Sequence, residues 1–302
     1  KQNYIKTMVK FDAKILDSNQ ISENDNNKEW WNSNPMIYDW EKNFGEIKYD
    51  KDYFDKIDEL FGEGHKLVNN PKWPDGKILE NFIPYNSLKD KKVLELGCGA
   101  GLVSSHLAKS GANLNSIDLT DNAIRLTKKR FEILNLQSNI EQMDGENLSF
   151  ADNTFDFVIS WGVIHHSGNM KKILDEIYRV LKPNGEAYIM IYNKNSIRYR
   201  LYCTFWLGIF KLKFFKMNFK EIVGSITDGY IARHLTEKEM NILTDKFSSK
   251  NYSYSDEVNT ISMYLMGPFY RILYLIPKKI KNSFEKFLAK KFGWYMEVNL
   301  KK

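Results

Sequence analysis

Cysteine and histidine are scarce in this chain, which limits what can hold its fold together. The 302 residues include two cysteines, Cys98 and Cys203, and five histidines. Two cysteines cannot make a disulfide framework, and a cross-link at Cys98 would distort the glycine-rich loop around it. A metal site is disfavoured, because only five histidines occur and no second Cys/His cluster accompanies the one pair of adjacent histidines. The composition favours a reducing compartment, and we expect the protein in the cytoplasm.

Long hydrophobic runs are missing as well. The two most apolar stretches, residues 202–210 and 261–277, are shorter than the roughly 20 apolar residues that cross a bilayer, and Arg271 interrupts the second. The first 27 residues are mostly polar and contain no hydrophobic segment of a signal peptide. We therefore expect neither a membrane span nor secretion.

The rest of the composition is that of a folded protein with a large core. Hydrophobic residues make up 43% of the chain and aromatic residues 14%, which excludes a disordered chain. The net charge of +6 comes mostly from lysine, with much of the excess in the last third. Such a charge permits an anionic partner without requiring one.

From residue 91 to residue 193, short apolar runs alternate with amphipathic segments. This alternation predicts an α/β fold with right-handed crossovers and a doubly wound, mostly parallel sheet. Ligands of such sheets bind beyond the carboxyl ends of the strands. The predicted strands are 92–96, 114–118, 140–143, 155–160 and 186–192, and the predicted helices are 102–110, 122–134 and 170–181.

The pattern divides the chain into three parts. Residues 1–50 form a leader whose aromatic segment, residues 30–40, either folds over the binding pocket as a lid or braces the lobe. Residues 51–194 form the binding core, beginning with a helical stretch at 51–69. Residues 195–302 form a helical accessory region that carries further strands near 252–256 and 294–299.

The first predicted strand ends in the sequence VLELGCGAG, with glycine at positions 97, 99 and 101. A loop without Cβ atoms can turn tightly into a helix and let a ligand approach the backbone. The spacing differs from the G-x-G-x-x-G fingerprint of dinucleotide-binding proteins, which favours a ligand without a pyrophosphate. The alternative is a turn whose glycines serve packing alone.

Two carboxylates follow the next two strands. Asp118 ends the second strand, where it can accept hydrogen bonds from ribose hydroxyls or can cap the following helix, although Thr120 or Asp121 can supply that cap. Asp144 follows the third strand, where it can bind an adenine amine or make an ordinary Asp-Gly turn.

Two histidines, His165 and His166, follow the fourth strand at the edge of the sheet where a substrate would lie. Three interpretations remain open for them: metal ligands, structural histidines, and a polar contact or general base in the cleft.

These segments, in this order, resemble the type 11 group of class I S-adenosylmethionine-dependent methyltransferases, which includes the ubiquinone/menaquinone C-methyltransferases. The resemblance rests on about a hundred residues. The outer segments NPMIYDW and FGWYMEV are similar to a subgroup of uncharacterised bacterial methyltransferases. The matching core motifs are VLELGCGAG, SIDLT, DGENLSF, NTFDFVISWGVIHH and EIYRVLKPNGEAYIMIYN.

The resemblance implies a seven-stranded sheet whose last strand, at 294–299, is antiparallel, and S-adenosylmethionine as the cofactor. In such a site the glycines line the methionine end, Glu95 lies beneath them, Asp118 holds the ribose and Asp144 the adenine amine. Gly145 departs from the alanine that quinone-type relatives often carry. The implied cofactor-binding residues are Glu95, Gly97, Gly99, Gly101, Asp118, Leu119, Asp144, Gly145, Ser160 and Trp161.

The expected activity is in-line methyl transfer to a small or lipid-like acceptor. His165 is the hypothetical general base, needed only where the acceptor must lose a proton. Arg233 suits an acceptor with a carboxylate or phosphate, whereas His234 either reaches the acceptor or simply precedes the helix predicted at 236–247, which Thr236 caps. The expected acceptor-binding residues are Tyr38, His166, Tyr192, Arg233 and His234.

Residues 202–219 and 269–292 mix large aromatic side chains with lysines. This pattern is typical of a helix on an anionic membrane surface, and also of a lid that packs inward and solvates its lysines. Peripheral membrane contact is therefore one of two open interpretations.

Two other functions compete with methyl transfer to a small molecule. A protein that binds the cofactor without catalysis, as a scaffold or sensor, would keep the same motifs. A nucleic-acid methyltransferase is disfavoured because the fourth strand lacks an Asn/Asp-Pro-Pro-aromatic tetrapeptide and because the lysines cluster with aromatic residues.

Overall fold

A mixed sheet runs through the centre of the computed structural model, which describes residues 20–33, 48–64, 67, 76–257 and 260–302. Seven strands lie in the order β3-β2-β1-β4-β5-β8-β7, and the two-residue β6 pairs with β5 beside this path. The strands are β1 Lys92–Leu96, β2 Asn113–Asp118, β3 Asn139–Gln142, β4 Phe155–Trp161, β5 Leu181–Asn193, β6 His234–Leu235, β7 Ser249–Ser255 and β8 Tyr295–Lys301.

The pairing of these strands confirms the expected architecture. β1 to β5 are parallel, and β8 is antiparallel to both β5 and β7. The seven-stranded, mostly parallel sheet with an antiparallel last strand is therefore present, and the last third of the chain supplies two of its strands. The proposed division at residue 194 stays a prediction.

Helices cover both faces of the sheet. Their bounds are α1 Gln20–Ser33, α2 Lys51–Gly64, α3 Leu102–Lys109, α4 Asp121–Ile133, α5 Met170–Val180, α6 Phe219–Gly224, α7 Glu237–Leu243, α8 Ile261–Met266 and α9 Lys278–Phe292. The segment Arg198–Phe210 is a π-helix, and Gly267–Leu275 is a 3₁₀ helix. None of the helices in the described part of the chain combines the length and apolar character that crossing a membrane requires.

The core lies in two layers because successive strand residues point to opposite faces. Val93 and Ile159 pack with α3 and α4 on one face. Leu94 and Val158 pack with α5 on the other. Both faces of the central strands are thus buried, which accounts for their continuous apolar sequence.

Most predicted boundaries agree with the structure to within two residues, and three elements differ by more. One is the strand predicted near 252–256, which begins at Ser249 as β7. The predicted strand 186–192 is longer, because β5 begins directly after α5 and already pairs with β4 at Leu181. The predicted helix 236–247 ends at Leu243, after a capping box between Thr236 and Glu239 fixes its start.

Candidate functional site

A cleft of about 1500 Å³, counted out to its open mouth, lies at the carboxyl ends of β1, β2 and β4. Its walls come from the glycine turn after β1, the end of β2, the turn after β3, the loop after β4, and residues of α1 and α2. This edge of a doubly wound sheet is where ligands bind.

The glycine turn holds conformations and contacts that other residues resist. Gly97, Gly99 and Gly101 all have positive φ, between +53° and +82°. A Cβ on Gly97 would lie 2.3 Å from Cγ2 of Val163, so the loop after β4 passes directly over this glycine. Gly97 and Gly99 line the cleft, whereas Gly101 is the N-cap of α3 behind them. The turn therefore presents backbone to the cleft.

Glu95 lies beneath the turn, in the wall of the cleft, and is only 4% exposed. Its Oε2 accepts hydrogen bonds from the hydroxyl of Ser104 on α3 and, at 3.0 Å, from that of Ser116 on β2. Burial raises the pKa of Glu95 to about 7. The carboxyl group thus ties three elements together below the site.

Asp118 organises the other side of the turn. Its Oδ2 accepts a hydrogen bond from Gly99 N at 3.1 Å, and its Oδ1 accepts from Thr120 N and Oγ1 at 3.0 and 2.9 Å. Burial raises the pKa of Asp118, and the Thr120 and Gly99 N–H groups oppose the rise. Thr120 caps α4 by accepting from Ala123 N, so the cap does not require Asp118.

The turn after β3 adds three residues to the wall, Asp144, Gly145 and Glu146. Asp144 Oδ1 accepts from Glu146 N at 2.8 Å, which makes the local turn, while the residue itself stays exposed. Glu146 is buried and accepts from Asn169 N at 2.7 Å, which links this turn to the start of α5. Leu119 also lines the cleft.

Only the second residue of the expected pair Ser160 and Trp161 reaches the cleft. Trp161 lies in the wall and its ring packs edge-to-face on Phe61 of α2 at 5.7 Å. Ser160 is fully buried within β4.

The two histidines occupy different positions. His166 lines the cleft and packs against Trp31 of α1 at 4.8 Å between ring centroids. His165 is fully buried and does not line the cleft; its ring lies 4.1 Å from that of His166. The 3₁₀ turn Ile164–His166 sets this arrangement.

Both histidines are neutral at physiological pH. Burial lowers the pKa of His166 to about 4 and that of His165 well below its ordinary value. Nδ1 of His166 lies 2.5 Å from the carbonyl oxygen of Ile231, so this nitrogen carries the proton and the lone pair is on Nε2.

The other expected acceptor residues form a layer behind His166. The Tyr192 ring lies 4.2 Å from His165 and stacks on His234 at 5.2 Å. Arg233 donates its guanidinium hydrogen bonds to the carbonyl oxygens of Ser167 and Gly168. Tyr192, Arg233 and His234 do not line the cleft, and Tyr38 lies outside the described residues. Their roles toward an acceptor stay predictions.

Sequence reasoning placed the aromatic segment 30–40 either over the pocket or against the lobe, but it named none of the residues that the two amino-terminal helices contribute to the cleft. α1 supplies Asn27 and Trp31 to the cleft, and α2 supplies Asp58 and Phe61. The aromatic richness of residues 30–40 was the one signal for Trp31. Among the described residues, no group of three or more potential ligand side chains could hold a metal ion.

Comparison with known proteins identifies the central part of the chain. The model of a methyltransferase domain matches residues 94–189. The ubiquinone biosynthesis O-methyltransferase of Rickettsia akari is 32% identical over 150 residues, 48% of this chain and 57% of the relative. That of Coxiella burnetii is 30% identical over 113 residues, 37% of this chain and 48% of the relative. The chain spans about half the length of these curated relatives.

Solved structures agree at the level of the fold. Phosphoethanolamine N-methyltransferase 2 of Haemonchus contortus, solved with S-adenosyl-L-methionine, superimposes with a TM-score of 0.52 at 16% identity, over 85% of this chain and 60% of that one. Residues 94–189 carry the glycine turn, Asp118, Asp144 and both histidines. Through these residues the chain carries a methyltransferase domain of the type 11 group of class I S-adenosylmethionine-dependent methyltransferases.

Proposed function

We propose that the protein transfers a methyl group from S-adenosylmethionine to a small, largely apolar acceptor. The observation that carries the proposal is the meeting of the Gly97–Gly99 backbone, Glu95 and Asp118 in one cleft at the strand ends. The proposal extends from the matched domain to the activity of the whole protein.

The residues present suit the cofactor. Missing side chains at Gly97 and Gly99 leave room against the backbone, and a Cβ at Gly97 would press on Val163. Asp118 offers carboxylate oxygens to hydroxyl donors at the end of β2, where a ribose would be expected. Glu95 holds the glycine turn from below, and its carboxyl group would interact with the amino group of the methionine part of the cofactor.

When bound, S-adenosylmethionine supplies a sulfonium methyl group that a nucleophile on the acceptor attacks in line. The task of this chain is then to align the acceptor and to exclude water. Alignment alone can contribute roughly 7–11 kcal/mol to the barrier reduction.

The aromatic part of the cleft wall supports an apolar acceptor. Trp31, Phe61, Trp161 and His166 bring four rings into the wall from α1, α2 and the loop after β4. The relatives named as ubiquinone biosynthesis O-methyltransferases favour oxygen as the methylated atom. For a hydroxyl acceptor, we propose His166, which lines the cleft, as the general base in place of His165, which is fully buried behind it and supports it.

Asp118→Asn tests the cofactor site. Replacing a charged hydrogen-bond acceptor by an amide costs about 1.5–3 kcal/mol of binding, so calorimetry should show affinity for S-adenosylmethionine reduced about 10- to 150-fold. The control is Asp121→Asn at the exposed first residue of α4, outside the cleft, which should bind like the wild type. Equal affinity of both variants would contradict the proposed site.

Turnover separates this proposal from a catalytically silent scaffold or sensor. Transfer of a labelled methyl group to members of a panel of phenols and catechols supports the enzyme. Cofactor binding without transfer to any acceptor in the panel or in a cell extract supports the scaffold.

A further inference from the structure

Exposed apolar side chains are concentrated in two segments of the last third. Of the fifteen large apolar side chains that are exposed among the described residues, thirteen lie in 205–215 and 269–287. Phe215 is 84% exposed and Leu275 85%. Soluble monomers rarely expose contiguous apolar patches of this kind without a partner. We call the surface of these two segments the basic apolar face.

Helix α9 shows that the exposure follows a pattern. Ile280, Phe284 and Phe287 recur at intervals of four and three residues, so they form one stripe along the helix, and each is at least 42% exposed. The neighbouring stripe, with Leu288 and Ala289, is buried against α8. Helix α9 therefore has two apolar stripes, of which the protein itself covers one.

The two segments meet in space. The Trp206 ring of the π-helix stacks on Phe210 at 4.8 Å and lies 6.1 Å from the Phe269 ring. Its Nε1–H donates to the carbonyl oxygen of Leu265 at 3.3 Å, next to the 3₁₀ helix. The outer side of the π-helix thus continues into the segment that leads to α9.

The charges around this face have one sign. No acidic residue occurs from 198 to 220, a stretch that contains Lys211, Lys213 and Lys216. Residues 267–292 contain seven lysines and arginines and one acidic residue, Glu285, which is 3% exposed. The exposed surface of this face therefore consists of apolar side chains flanked by cationic ones.

This combination favours an anionic lipid surface over another protein copy. In a symmetric dimer the same patch meets itself, so lysines would face lysines across the contact. At a bilayer the apolar side chains enter the boundary between headgroups and acyl chains while the lysines meet lipid phosphates and carboxylates.

We propose that the basic apolar face docks the protein on the surface of an anionic phospholipid bilayer without spanning it. The docking rests on residues outside the cleft and is independent of methyl transfer.

Vesicle flotation with the full chain tests the docking. The probes are phosphatidylcholine vesicles with and without about 30 mol% phosphatidylserine. We expect the protein to float with the anionic vesicles and at least about tenfold less with the neutral ones, and added salt at about 0.5 M to weaken the binding.

Two variants test the two components of the face. Phe215→Ser/Leu275→Ser/Phe287→Ser removes apolar contacts, and Lys279→Glu/Lys290→Glu reverses charge. Each should reduce flotation at least about tenfold. The matched controls are Ile242→Ser and Lys238→Glu on α7, which are exposed and outside the face, and both should float like the wild type. Circular dichroism and cofactor binding are measured to check that every variant is folded.

Three results would overturn the proposal. One is no flotation of the wild type with either vesicle; another is equal flotation of the face and control variants. The third is a dimer, seen by sedimentation equilibrium without vesicle binding, that the face variants dissociate, because the face would then be a contact between copies.

Discussion

Arg130 of α4 makes a bidentate salt bridge with Asp58 of α2: its two terminal nitrogens each donate a hydrogen bond of 2.7 Å to a carboxylate oxygen. Its Nε donates to the carbonyl oxygen of Ala100 in the glycine turn, also at 2.7 Å, and its guanidinium lies over the Phe54 ring. Arg130 is 1% exposed, and both partners line the cleft. The pair therefore fastens α2 to the turn on which the cofactor site is built.

Asp58→Asn should lower the free energy of unfolding by about 3 kcal/mol, because it leaves a buried guanidinium without its counter-charge. Urea denaturation measures the change. Asp55→Asn on the same helix is the control, since Asp55 makes an exposed pair with Lys51 whose loss should cost under about 0.5 kcal/mol. If the loss for Asp58→Asn is as small as the loss for Asp55→Asn, the buried pair adds no stability.

The Arg130–Asp58 pair also marks what the sequence could not predict. Its partners are 72 residues apart, and neither sits at a spacing that points to the other. Periodicity, in contrast, located the core strands well: the predicted strand 92–96 coincides with β1. β6 has two residues, too few to carry a period.

The same limit applies within the site. Residues at strand ends, such as Asp118 and Asp144, were placed at the cleft because parallel strands end at one edge of the sheet. Which of two adjacent histidines faces the cleft depends on the 3₁₀ turn after β4, and a pattern of residue types does not specify that turn. The layer formed by Arg233 and His234 depends on the packing of a distant segment.

Gly97→Ala should destabilise the protein by about 3 kcal/mol, because the new Cβ meets Val163 and the residue keeps a φ of +82°. Adding Val163→Ala removes the two shortest contacts, at 2.3 and 2.8 Å, but leaves the Cβ of residue 163 at 3.0 Å and the backbone strain. The double variant should therefore lose at least about 1 kcal/mol less than the sum of the single variants. A double-mutant cycle by urea denaturation measures this coupling.

The control for this cycle is Gly224→Ala, where a Cβ meets nothing within 4 Å. Its stability should change by less than about 0.5 kcal/mol. If the losses in the free energy of unfolding for Gly97→Ala and Val163→Ala are strictly additive, the loop after β4 moves away from the new Cβ at no cost in stability.

Glu297→Gln should change how stability depends on pH. Burial among β5, β7 and β8 raises the pKa of Glu297 to about 7, while Ser255 and Tyr188 donate hydrogen bonds to it. An unfolded chain ionises this group near its ordinary pKa, so the folded chain holds an extra proton between about pH 4.5 and 7. The stabilising effect of that proton is lost as pH rises through this window.

Because glutamine does not ionise, the stability of Glu297→Gln relative to the wild type should rise from pH 5 to pH 8 by on the order of 2 kcal/mol. Taking the difference between the two proteins removes the contributions of the buried histidines, which both share. Glu141→Gln on β3 is the control, since solvent surrounds Glu141 in the folded chain. A difference that stays flat across this range would contradict the prediction.

His166→Gln should reduce kcat/KM for a hydroxyl acceptor by about 100-fold, as expected when a general base is lost, and leave the affinity for S-adenosylmethionine near that of the wild type. Glutamine can still donate to Ile231 O, so the loop keeps its anchor. His165 is buried behind His166 and does not contact the acceptor. His165→Gln should therefore reduce kcat/KM by a smaller factor than His166→Gln. Equal losses in kcat/KM for the two variants would show that the two histidines act as one structural unit.

The pH profile gives a second measure of the same role. Since burial holds the pKa of His166 near 4, the ring stays neutral and able to accept a proton throughout the neutral range. A base with that pKa loses activity only as pH falls toward 4, whereas a solvated histidine would lose it near 6.5. Methyl transfer by the wild type should therefore be nearly constant from pH 7.5 to about 5.5. An acid limb centred near 6.5 that His166→Gln abolishes would mean that water reaches this ring and that the cleft does not shield it.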